Sequence, residues 1–124
     1  MATRSRIAYR LDDGRIVSVY CHWDGDLDGN GSILAEHYQD PAKVEKLIEG
    51  GDFSSLAPEV NDVSYYSKRG EVCPQKVHPD LPDYLSEGWD VQYYYLFEKG
   101  AWRYTCEGRA LRRVPGQKKN KIST

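Results

Sequence analysis

The 124-residue chain has no apolar run approaching the ~18 residues of a membrane span, and no charged-then-apolar leader at its start. Those absences set the expectation of a cytoplasmic protein with no membrane partner. Cysteine is scarce: Cys21, Cys73 and Cys106 are odd in number and include no Cys-x-x-Cys pair. That argues against a disulfide framework and a paired zinc motif, so no metal and no cofactor is expected. Internal repeats are missing too. Acid is absent from Gly108 to Thr124, which holds six of the 17 basic residues; the first 107 residues keep 11 bases against 19 acids, a net of −8. With a Pro-Gly break and few apolar side chains, 108–124 reads as a basic flexible tail behind a single domain at 1–107.

What is present gives an α+β pattern. "RSRIAYR" and "RIVSVYCHW" are β-rich runs joined across Asp12-Asp13-Gly14, which predicts a hairpin with strands near 4–10 and 15–22. "SILAEHYQ" is helical in composition. "DPAKVEKLIEGG" carries Asp40 as N-cap, Pro41 at the first helical position, Val44, Leu47 and Ile48 on one face, and Gly50 as a stop. "DVSYYS" and "EVCPQKV" read as strands around a Lys68-Arg69-Gly70 turn, with Pro74 demoting the second to an edge strand or loop. "PDLPDYLSEG" reads as a loop with one helical turn, and "DVQYYYLFE", Lys99-Gly100 and "AWRYTCE" as a hairpin. The sum is an antiparallel sheet of about five or six strands with two or three helices on one face.

Asp24, Asp26, Asp28 and Gly29 match the first half of an EF-hand loop. The second half fails: the position of the bidentate Glu is Ala35, Glu36 comes one residue late, and the segment before Asp24 reads as strand. The favoured reading is a strand-to-helix turn whose carboxylates bond their own backbone.

"SRIAYRLDDGRIVSVYCHWDG", "LAEHY", "DPAKVEKLIEGGDFSSL", "KRGE" and "YYYLFEKGAWRY" resemble, in order, a family of small tailed-bacteriophage proteins. Cys21-His22-Trp23-Asp24-Gly25 and Gly51-Asp52-x-Ser54 are its most specific marks. The family is similar to Thoeris anti-defence proteins, sponges that sequester a cyclic ADP-ribose signal without cleaving it. The resemblance implies a non-enzymatic counter-defence protein in the cytoplasm of the infected bacterial host. Ser67-Lys68 departs from an arginine-richer family pattern at "KRGE", and the basic tail lies outside the resemblance.

A nucleotide receptor needs aromatic platforms for bases and fixed cations for phosphates. The sequence offers Trp23 and Tyr66 as stacking surfaces and Arg4, Arg6, Lys68 and Arg69 as phosphate partners of a small cyclic nucleotide. Adjacent Cys21 and His22 point to opposite faces of a strand, so they form no nucleophile–base pair, and no catalytic residue is expected. The second function class is a protein-binding inhibitor that presents the acidic body to a host or defence enzyme. Direct nucleic-acid binding is disfavoured by the acidic domain. Exposed edge strands and a small core point to a homo-oligomer.

Overall fold

The computed structural model describes residues 3–88, 91–106 and 111–115. Its centre is β1 (Ser5–Arg10), which pairs antiparallel with β2 (Ile16–Cys21) across the expected turn, where Gly14 takes φ +94°. β3 (Lys76–His78) extends β2 as an edge strand. The aromatic hairpin of β4 (Tyr93–Glu98) and β5 (Ala101–Cys106) turns at Lys99-Gly100, both at positive φ. β6 (Arg112–Arg113) pairs with β5, giving the order β3-β2-β1-β4-β5-β6. The α+β class and strand number agree with the sequence reading. The sheet, however, is mixed: β1 and β4 run parallel, with Ser5 opposite Tyr93 and Tyr9 opposite Phe97.

Side chains alternate across a strand, so each register assigns two faces. Ile7, Val17, Val19, Tyr95 and Phe97 join the larger core. Over them lie α1 (Ser32–His37) and α2 (Pro41–Glu49). The Asp40 carboxylate accepts from Ala42 N at 3.0 Å, and Val44, Leu47 and Ile48 are buried. Ala8, Ile16, Tyr94 and Leu96 form a smaller core on the opposite face, with Tyr84 of α3 (Leu81–Leu85). Helices therefore cover both faces, not one. A single turn suffices for α3 because Tyr84 is fully buried and its hydroxyl reaches the carbonyls of Arg6 and Tyr95 at 3.0 and 2.7 Å.

Two further expectations are corrected. "DVSYYS" forms no strand: Val60–Asp62 and Tyr66–Arg69 are 3-10 turns, with a single bridge from Tyr65 to Phe53 between them. The Tyr65 hydroxyl instead bonds Leu47 O at 2.6 Å, tying the segment beneath α2. The ordered fold also passes the expected boundary at residue 107. Arg112–Arg113 pair with β5, Val114 N donates to Trp102 O at 3.1 Å, and Val114 is 1% exposed. One well-placed valine and a strand partner anchor a segment that composition marks as unanchored; positions 108–110 and 116–124 of the expected tail lie outside the described residues.

Ending the chain after Arg113 removes that anchor, and burial of a valine contributes about 1.5–3 kcal/mol. Urea denaturation of the truncated chain is expected to show a loss of that size. An unchanged midpoint would mean that Val114 is not held in the core.

Candidate functional site

The end of β2 and the Cys-His-Trp-Asp-Gly motif build one rim of the sheet. Cys21 faces the larger core, fully buried; its thiol donates to Trp23 O at 3.4 Å and accepts from Asn30 Nδ2 at 3.2 Å. Asp24 takes φ +58°, a conformation short polar residues tolerate, and Gly25 N then donates to Thr3 O at 2.8 Å. The next turn is the expected strand-to-helix connection: Asp26 caps a π-helical turn at Leu27–Gly31 and accepts from Gly29 N at 3.1 Å.

The second marked run is a strap laid along this rim. Gly51 takes φ +84°, and a Cβ there would strike Cys73 O. The Asp52 carboxylate accepts from Tyr20 N at 2.9 Å, Phe53 N donates to Tyr20 O at 2.9 Å, and Trp23 N donates to Ser54 O at 2.9 Å. Tyr66 N donates to Asp52 O at 3.2 Å, which brings the 3-10 turn at Tyr66–Arg69 against the strap.

Four of the six predicted site residues meet here. Arg69 places its guanidinium 5.5 Å from the Tyr66 ring centroid and donates from Nη2 to Ser54 Oγ at 3.3 Å. Trp23, 47% exposed, meets the His22 ring edge-on at 4.8 Å. The Tyr20 hydroxyl bonds His22 Nδ1 at 2.8 Å. Burial raises the Tyr20 pKa, and the Arg4 guanidinium beside it opposes that rise. Tyr20 and His22 thus link Arg4 to Trp23, and the strap links these to Tyr66 and Arg69. Sequence reasoning missed Tyr20, His22 and Ser54. The signal was there: Tyr20 and His22 stand two apart in the run expected as a strand, where such positions share a face.

Arg6 and Lys68 do not join the rim. Arg6 is 4% exposed, and its Nε and Nη2 donate to Ser18 Oγ at 3.0 and 2.8 Å. The Lys68 ammonium donates to Asn61 O and Val63 O at 2.8 and 2.7 Å over the Tyr65 ring. Residue type alone cannot tell a free cation from one satisfied by carbonyls five and seven residues back in the chain.

Register also assembles a group with no sequence signature. Ser18 Oγ lies 2.7 Å from His78 Nε2, and His78 Nδ1 lies 2.8 Å from Asp83 Oδ1. With Arg6 donating twice to Oγ, the hydroxyl proton goes to Nε2, and the ring proton sits on Nδ1 facing Asp83. Ser18 is fully buried and its Oγ is saturated, so no position remains for an attacked carbonyl. The arrangement clamps β1, β2, β3 and α3 together.

A groove of about 370 Å³ lies at the other end of β1, lined by Tyr9, Arg10, Asp12, Glu45, Glu98 and Lys99 among others. Its guanidinium is paired, Arg10 Nε to Glu98 Oε2 at 2.7 Å, and its three carboxylates repel a phosphate. With Arg10 paired and Asp12, Glu45 and Glu98 outnumbering the cations, this groove suits an anion less well than the rim does. No family model, curated protein or solved structure matches the chain.

Burial raises the Cys21 thiol from 9.0 to about 11 and the Tyr65 phenol from 10.0 to about 12. A folded pKa above the unfolded one stabilises fully below the unfolded value and is lost as pH rises through the folded value. The melting temperature is expected to fall between pH 9 and 12 as these groups ionise, and iodoacetamide at pH 8 to spare Cys21 until denaturant is added. Labelling of Cys21 in the native protein would contradict the buried thiol.

Proposed function

We propose that this protein binds a small nucleotide signal of the cyclic ADP-ribose class and sequesters it without cleavage, as a phage-type counter-defence sponge. One observation carries the reading: Arg4, Tyr20, His22, Trp23, Tyr66 and Arg69 converge on one rim, held by the Asp52–Ser54 strap. The guanidinium groups match phosphate oxygens, and the exposed Trp23 indole with the half-buried Tyr66 phenol matches a base. The chemistry beside them favours retention over turnover. The Cys21 thiol is buried and protonated at neutral pH, and the Ser18 hydroxyl is saturated by Arg6 and His78. Trp23 and Arg69 are exposed at the rim, and a second copy of the chain is proposed to cover a bound ligand there.

The test is calorimetric titration with cyclic ADP-ribose isomers and cyclic oligonucleotides. Arg69→Ala is expected to weaken binding by about 1.5–3 kcal/mol through loss of a charge-assisted hydrogen bond. Trp23→Ala is expected to cost about 1–3 kcal/mol through loss of stacking. Lys68→Ala should leave affinity unchanged, because its ammonium is spent on Asn61 and Val63. Absence of binding across the panel would remove the sponge reading and favour the protein-binding inhibitor with its acidic surface.

A further inference from the structure

Away from the rim, the β5–β6 edge gathers positive charge in a way that sheet stability does not explain. Arg103 of β5 stands directly opposite Arg113 of β6, and both are exposed. Like charges facing one another across an antiparallel pair weaken it. Arg112, also exposed, stands opposite Tyr104 and so projects from the other face. Among the described residues none of these three arginines takes part in an ion pair shown by the structure. The Tyr104 ring in turn stacks with Tyr93, 6.5 Å between centroids and 26° between planes, and both rings are half-buried, leaving part of each open to solvent. In sequence the run continues with Lys118, Lys119 and Lys121 and no acid.

Shielding of an exposed strand edge is a common reason for surface charge. It accounts for Arg112 and Arg113, which lie on the edge strand. It leaves out Arg103, because β5 is flanked by β4 and β6 and presents no free edge there.

We infer that the β5–β6 edge is a docking surface for single-stranded nucleic acid, with Arg112 on the face of the Tyr93–Tyr104 stack and Arg103 and Arg113 on the opposite face. Arginines set on both faces of the edge can follow a phosphate backbone, and the adjacent stacked phenols offer a platform to its bases. The acidic body does not prevent this at physiological salt, since charges farther away than about 8 Å are largely screened. Its three arginines lie on β5 and β6, which carry no rim residue, so substituting them tests this surface independently of the sponge.

Fluorescence anisotropy of a labelled oligothymidylate of about 12 nucleotides, titrated with the full chain from ~50 to ~300 mM KCl, reads the surface directly. Each lost phosphate contact lowers the salt slope by about 0.7 for a single strand. The Arg103→Ser, Arg113→Ser double variant should therefore lose about 1.4 from the slope, with weaker binding at every salt concentration. Its melting temperature should hold or rise, because a like-charge pair has been removed. Three results would overturn the inference: no binding by the wild type at low salt, an unchanged slope in the double variant, or tighter binding to a duplex of the same length. Self-association of the variant with unchanged oligonucleotide binding would assign the arginines to edge shielding instead.

Discussion

The parallel pairing of β1 with β4 is the constraint on which both faces of this fold depend. With Arg6 opposite Tyr94 on one side and Tyr20 on the other, alternate residues fall either into the core beneath α1 and α2 or onto the face carrying α3. A slip of one residue would carry the Arg6 guanidinium into an apolar core and expel Ile7. The Tyr84 hydroxyl ties Arg6 O of β1 to Tyr95 O of β4, while the Arg6 side chain finds Ser18 on β2, and Ser18 passes the connection through His78 to Asp83 on α3. A buried charge left without such a partner costs several kcal/mol, so this polar chain specifies the pairing as well as tolerating it.

The same register presents the site. It sets Arg4 at the entry of β1 beside Tyr20 at the exit of β2, while Asp52 and Ser54 hold the chain that returns with Tyr66 and Arg69. Four marked residues of the two sequence runs have mechanical duties here. Cys21 seals the core beneath the rim, Gly25 permits close approach to Thr3, Gly51 lets the strap pass Cys73, and Asp52 fixes the Tyr20 backbone. The motifs are first a scaffold, and the proposed binding chemistry rests on the side chains that the scaffold positions at the rim.

Much of this was legible in local sequence. Asp40-Pro41 ahead of Val44, Leu47 and Ile48 announces α2, and Lys99-Gly100 between aromatic runs announces the β4–β5 hairpin, because caps and turns act within a few residues. The parallel β1–β4 pair has no comparable sign, since it joins residues more than 80 positions apart. Without that pair the second helical face could not be foreseen either. Tyr65 and Tyr66 look like strand residues, yet one anchors to Leu47 and the other turns to the rim. Of the candidate site, residue type proposed Trp23, Tyr66, Arg4 and Arg69, which the fold brings to one rim; burial of Arg6 and the carbonyl cage around Lys68 are tertiary facts.

The central claim is capture without chemistry, and recovery of the ligand tests it most directly. The folded protein is mixed with a sub-stoichiometric cyclic ADP-ribose isomer and passed through a membrane that retains protein, and the retained fraction is heated and chromatographed. The account predicts that at least one isomer disappears from the filtrate and returns unchanged on heating. Ligand left free in the filtrate for every isomer, or released as a hydrolysed product, would contradict it.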